Sequence, residues 1–370
     1  MFDDIRPFTD AEIPAAMQRI VSDKYFVLVC QFLFPEKPVQ EIAALLGSCR
    51  TVEDFQRRFM YKAIYSIADK TTAGLTVSGM ERLDPSKRYL FVSNHRDIML
   101  DAAFLQVLLV DAGLRTSEIT FGANLMQGQL VIDVGKSNKM FRIERPTTVS
   151  SARDFLEKSR YVSDYIRYAI REKGESVWIA QRNGRTKDGM DATDQGIIKM
   201  FGMSGGKDPV EALSQLNIVP LSISYEWEPC DELKALELYA KASGQPYIKK
   251  PGEDFNSILS GIVDPKGRVH LSVCEPIAPE ELEAFRGLPS AAFNREVAAL
   301  LDRRILAAYR RYPNNYIAAD LLSGKRKHNY SQAERDAFVA HIDRIVAKDY
   351  PEELRSILLH IYANPVLRSL

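Results

Sequence analysis

Arg88-Tyr89-Leu90-Phe91-Val92-Ser93-Asn94-His95-Arg96-Asp97-Ile98-Met99-Leu100-Asp101 runs from an apolar stretch into a polar knot, and Ala102-Ala103-Phe104-Leu105-Gln106-Val107-Leu108-Leu109 follows it. Residues 88–92 are apolar enough for a buried strand, and 102–109 read as a helix. A histidine therefore stands at the end of a strand, with a carboxylate entering the next helix. An open α/β sheet places its ligands at such joins. Polar groups crowded between two apolar elements must be paired or functional. A histidine hydrogen-bonded to a carboxylate is also the basic device for taking a proton from a hydroxyl.

Downstream of this join the pattern alternates. Strand signals fall at 119–121, 140–143, 176–180, 217–225 and 269–273, and helix signals at 151–173, 195–201 and 232–242. Alternation of this kind predicts an α/β layer. Upstream, Thr9-Asp10-Ala11-Glu12, Pro38 and Thr51-Val52-Glu53-Asp54 look like helix starts, with no strand signal between them. From Pro279 onward the chain reads as helical again, at 281–285, 291–312, 331–348 and 352–362, with a basic loop at 324–328. The expected organisation is an N-terminal helical region 1–78, an α/β catalytic domain 79–280 and a C-terminal helical region 281–370.

Lys+Arg and Asp+Glu number 49 each, so bulk charge gives no argument for nucleic acid or for an anionic surface. Any anion site must be local. The four cysteines, Cys30, Cys49, Cys230 and Cys274, lack metal or disulfide spacing and read as reduced thiols of a cytoplasmic protein. The acidic start Met1-Phe2-Asp3-Asp4 is unlike a secretory signal. Residues 25–35 form the most apolar early segment; at about 20 residues for a span they are too few, and a core helix is expected.

In four blocks the sequence resembles the glycerolipid acyltransferase superfamily, which includes glycerol-3-phosphate and lysophosphatidate acyltransferases. Asn94-His95-Arg96 and the apolar helix after it resemble the first block. Gly122-Ala123-Asn124-Leu125 and Phe141-Arg142-Ile143-Glu144-Arg145 resemble the second, Arg182-Asn183-Gly184-Arg185-Thr186 the third, and Ile218-Val219-Pro220-Leu221-Ser222-Ile223 the fourth. Glu275-Pro276-Ile277 resembles the usual end of the catalytic domain, so the likeness covers roughly 79–280. Two departures stand out. The family separates its histidine and aspartate by four residues, whereas five lie between His95 and Asp101, and Asn183 stands where a glutamate is common. One added helical residue turns a side chain by about 100°, so His95 is expected in the loop, which absorbs the extra residue. Asp97 is the rival orienter, but an offset of two does not face on a helix.

The resemblance implies direct acyl transfer in glycerolipid metabolism. His95 is the expected general base and Asp101 holds its tautomer, while the donor is acyl-CoA or acyl-carrier protein and no other cofactor or metal is implied. Asn94, Arg96, Arg142, Arg145, Arg182, Asn183, Gly184, Arg185 and Thr186 are the expected substrate-binding residues. The arginines offer forked donors for a phosphate-bearing acceptor, glycerol 3-phosphate or lysophosphatidate. Their other reading is surface ion pairing with Glu144 or Asp188. Gly184 lets the backbone approach a ligand. An acyl-chain slot near His95 would be lined by Met99, Phe104 or Leu125, side chains that otherwise read as core. A lipid product implies a peripheral protein on the inner face of the cytoplasmic membrane, touching it through the N-terminal helices.

Two other functions fit parts of the sequence: a non-catalytic lipid-binding protein on the same fold, and a serine hydrolase. The second rests on Gly202-Met203-Ser204-Gly205-Gly206, but a nucleophile elbow needs a strand before it, and here a helix precedes. His95-Arg96-Asp97 also echoes a protein-kinase catalytic loop, whose companion motifs are missing.

Overall fold

The structure, a computed structural model, describes residues 1–144, 150–244, 247, 252–348 and 353–368. Segments of four to eight residues, most of them apolar runs, supply its strands: β1 (Thr72–Ser78), β2 (Leu90–Ser93), β3 (Glu118–Gly122), β4 (Met140–Ile143), β5 (Val177–Ala180), β6 (Ile218–Tyr225) and β7 (Gly267–Val273). They form one mixed α/β sheet in the order β1-β7-β6-β2-β5-β3-β4. Every pair is parallel except β6 with β7. Strands covered on both faces need apolar residues throughout. Leu90 and Val92 of β2 accordingly join Val177, Ile179 and Ile218 on one face, while Phe91 joins Trp178 and Val219 on the other.

Helices α1 (Ile13–Ser22), α2 (Phe26–Leu33), α3 (Val39–Gly47), α4 (Val52–Phe55) and α5 (Tyr61–Thr71) precede the sheet. Among the connections are α6 (Leu100–Asp111) after β2, α7 (Gln129–Ser137) after β3, α8 (Ala152–Tyr168) after β4, and α9 (Gln195–Gly202) with α10 (Pro209–Ser214) after β5. Between β6 and β7 lie α11 (Asp231–Ala242) and α12 (Glu253–Val263). The chain ends in α13 (Pro279–Glu283), α14 (Ser290–Ala308), α15 (Pro313–Ser323), α16 (Gln332–Val346) and α17 (Glu353–Leu367). The expected helix starts are present. Thr51 caps α4 by accepting from the Asp54 N–H at 3.0 Å, and the Thr9 N–H donates to Glu12 at 2.7 Å.

Three expectations change. β1 lies inside the region read as purely helical and pairs with β7, so the sheet begins at residue 72 rather than 79. Its exposed, alternating residues at the sheet edge gave no continuous apolar run. The helix expected over 291–312 stops at Ala308, because Pro313 opens a new helix and holds Tyr312 extended (φ −105°, ψ 165°). The apolar segment 25–35 is not core: only Phe26 and Cys30 of α2 are buried, and Leu28 is 64 % exposed. The basic loop 324–328 folds back on Asp320, which accepts from the backbone N–H of Lys327 and His328 at 3.0 and 3.1 Å.

Candidate active site

β2 ends at Ser93 in the middle of the sheet, between β5 and β6. The loops after β2 and β5 are zipped together: Gln181 N–H donates to Ser93 O at 2.7 Å and Thr186 N–H to His95 O at 2.8 Å. His95 lies in the loop before α6, whose first turn carries Asp101, 1 % exposed. Residues 94–99 are thus non-helical, and the loop takes up the fifth intervening residue. Asp97 makes that possible. Its Oδ1 accepts from the N–H of Met99 and Leu100 at 2.9 and 2.8 Å, fixing the start of α6. It is a cap and not the orienter of His95. Burial, and then the neighbouring Asp101, push the Asp97 carboxyl above its usual range.

Asp101 holds four donors. Its Oδ2 accepts from His95 Nδ1 at 2.8 Å and from the N–H of Arg96 and Asp97 at 2.6 and 3.0 Å, and its Oδ1 accepts from the Tyr225 hydroxyl at 2.7 Å. The N-terminus of α6 adds a favourable field for the negative charge. With Nδ1–H held by the carboxylate, the imidazole presents Nε2 with its lone pair. Nε2 has no protein partner among the described residues, and the ring, 12 % exposed, packs edge-on against Trp178. A base so placed can take a proton from a hydroxyl brought to it.

Asn94 and Arg96 have other work than the expected contact with substrate. Asn94 is fully buried and extends the β ladder: its side chain accepts from Ile223 N–H at 2.7 Å and donates to Ile223 O and to Asp191, each at 3.0 Å. Arg96, 1 % exposed, pairs with Asp191 at 2.7 Å and Glu228 at 3.1 Å, and its guanidinium lies 5.3 Å from the Tyr309 ring. Both build the platform under the loop.

The expected anion-binding residues separate into two groups. Arg142 sits on the edge strand β4, exposed and paired with Glu144 at 2.6 Å. Three strand spacings, about 14 Å, lie between β4 and β2, so it is remote from His95. Its ion-pairing alternative is the one realised. Arg145 lies outside the described residues. Arg182, Asn183, Gly184, Arg185 and Thr186 follow β5, with Gly184 in the left-handed region at φ +77°. Asn183 is exposed, and half-buried Arg182 has no side-chain partner among the described residues. The charge of Arg185 partly offsets the rise of Asp97. Arg185 Nη1 and Thr186 Oγ1 are buried with no partner among the described residues. Such donors cost about 1–3 kcal/mol each when unmet, so they invite an acceptor oxygen.

Phe104 is fully buried sheet–helix core, with Met99 and Leu125 packed against the same cluster. These three are core side chains before anything else. Ser204 bonds with Ser163 and Arg167 at 2.9 Å each, with no histidine among its described partners. The hydrolase alternative therefore lacks a base. Tyr225, Asp191 and Glu228 are contributors that sequence reasoning missed. Tyr225 ends the strongest β segment, so its position at a strand's C-terminal end was the available signal.

Residues 74–224 match the family model described as Acyltransferase. This stretch is an acyltransferase-family domain. It runs from within β1 through nearly all of β6, with His95, Asp101 and the 182–186 loop inside it, and it stops one residue short of Tyr225. No curated protein sequence matches the chain. Among solved structures, that of the 1-acyl-sn-glycerophosphate (LPA) acyltransferase PlsC from Thermotoga maritima is similar at a TM-score of 0.41 and 14 % identity, over 81 % of this chain and 98 % of that one. The acyltransferase domain thus supplies the dyad, while Glu228 and Tyr309, which hold Arg96 beneath it, lie beyond the matched stretch.

Proposed function

We propose that the protein moves a fatty acyl group from a thioester donor, acyl-CoA or acyl-carrier protein, to a hydroxyl of a phosphate-bearing glycerolipid precursor, glycerol 3-phosphate or lysophosphatidate. The observation that carries this reading is the His95 Nδ1–Asp101 bond of 2.8 Å with Nε2 left unpartnered. In the proposed step Nε2 takes the hydroxyl proton as the oxygen attacks the thioester carbonyl. A C–O bond forms, the C–S bond breaks, and the departing thiolate recovers the proton from the imidazolium. No acyl-enzyme is needed. A base of this kind contributes about 10²–10⁴ in rate, and positioning supplies more. The unmet donors Arg185 Nη1 and Thr186 Oγ1, on the loop joined to the His95 carbonyl, suit the acceptor's phosphate better than remote Arg142.

A lipid product also calls for access to a membrane surface. Among the described residues no helix is long and apolar enough to cross a membrane. Tyr25, Val27, Leu28, Val29 and Phe32 leave an apolar face of α2 exposed, with Lys24 and Lys70 beside it, which supports peripheral contact there. The test of the reaction is to incubate the purified protein with each donor–acceptor pair and weigh the products. An ester of the acceptor is expected with the wild type and none with His95→Ala. The reading fails if no pair yields an ester, or if His95→Ala matches the wild type.

A further inference from the structure

We propose that a cavity of about 920 Å³ between α11, α12 and α16, lying outside the acyltransferase match, binds a phosphate-bearing amphiphile. Its walls are amphipathic. Trp227, Leu233, Ala340 and Ile345 give an apolar surface, and Lys266, His341 and Arg344 bring basic groups to it.

The basic groups are built into place. Asp231 Oδ2 accepts from the Tyr362 hydroxyl at 2.6 Å and from His341 Nε2 at 2.7 Å. That fixes the His341 tautomer, and Nδ1 accepts from Arg344 Nη2 at 3.0 Å. A chain of three hydrogen bonds thus steadies one edge of the Arg344 guanidinium. Among the described residues this is the side chain's one bond, so four of its five N–H groups remain. Lys266, 1 % exposed, donates to Asp264 O at 2.7 Å and Thr71 Oγ1 at 3.1 Å, leaving one N–H among the described residues.

The carboxylates of the same cavity are engaged. Glu228 pairs with Arg96 and Lys234, Asp231 is held as above, Glu232 pairs with Lys348 at 2.6 Å, and Asp264 accepts from the Ser260 hydroxyl. Arg344 and Lys266 keep N–H groups to donate to a ligand, beside an apolar wall. An anionic head on an apolar body is the chemistry that satisfies both.

The cavity also abuts the dyad loop from behind. Gly261 in its wall lies so close to Asp97 that a Cβ there would fall 2.2 Å from Oδ2. Glu228, also in the wall, pairs with Arg96 of that loop at 3.1 Å. Two ligands carry the required chemistry if the proposed function holds, on which only this choice of ligand rests: the phosphorylated arm of the thioester donor, and the acceptor lipid.

The test titrates the full chain calorimetrically with coenzyme A and, separately, with a short-chain lysophosphatidate. The wild type is compared with Arg344→Ala, Ala340→Trp and His95→Ala. At least one ligand is expected to bind the wild type, and to bind Arg344→Ala and Ala340→Trp about tenfold more weakly, as expected for losing a charge-assisted hydrogen bond or the space. His95→Ala should bind as the wild type does. The ligand that responds names the source. Failure of both ligands to bind the wild type, or a loss smaller than fivefold for both, overturns the proposal. Exposed Arg344→Ala decides the matter should Ala340→Trp unfold. Cavity-dependent binding without ester formation in the wild type would sink the acyltransfer reading and leave the cavity standing.

Discussion

Asp101 accepts four hydrogen bonds from inside the protein, so its position is set before any substrate arrives. Asp101→Asn keeps the shape but loses control of the imidazole tautomer, and a fall in kcat of about 10²–10⁴ is expected in the product assay. Tyr225→Phe strips Oδ1 of its one partner among the described residues, in a buried site; unfolding experiments should show a loss of about 1–3 kcal/mol. Asp97 carries a linked pH effect. Its folded carboxyl is raised above the unfolded value of 3.8, by burial first and Asp101 second. The folded state then holds more protons than the unfolded one, so this contribution is full below 3.8 and is lost as pH rises through the folded value. Asp97→Asn keeps the cap oxygen and removes the titration. Melting curves from pH 4 upward should fall less steeply with pH for Asp97→Asn than for wild type; equal slopes would refute this assignment. The histidine and its partner were legible from residue type and position. Tyr225 was not, because it approaches Asp101 across 124 residues of chain.

At the scale of elements, the strands were legible wherever both faces are covered, since β2, β5 and β6 are apolar at most positions. β1 escaped because its residues face solvent on an edge. α2 shows the opposite failure: composition reports that a helix is apolar and says nothing of what covers it. Its exposed apolar residues can change without opening a core. Leu28→Asp with Val29→Asp should therefore cut co-sedimentation with anionic lipid vesicles severalfold while moving Tm little. Unchanged co-sedimentation would remove α2 from the membrane contact.

Over the whole molecule, Arg96 ties the acyltransferase domain to the C-terminal helices. Asp191 and Glu228 hold it, the Glu228 N–H donates to the Tyr362 hydroxyl of α17 at 3.2 Å, and Asn364 of α17 donates to Asp188 O at 2.6 Å. The C-terminal region is a buttress for the dyad loop as well as a flank. Arg96→Met leaves Asp191 buried without its cation and Glu228 with Lys234 alone, and a loss of about 3–5 kcal/mol is expected in denaturant unfolding. A loss within 1 kcal/mol would show that Lys234 suffices.

By itself the sequence determined a layered α/β domain and the strand-end place of His95, because apolar run length and polar crowding are local properties. It also brought His95 and Asp101 within one loop and one helical turn, where chain connectivity limits the options. Tertiary structure alone decided which arginine stands near the dyad, that Arg96 is a strut, and that Tyr225 reaches Asp101. Those depend on the sheet order, which sets Arg142 three strands away and brings β6 alongside β2; strand order is fixed by how whole layers pack, and no short stretch of residues records it.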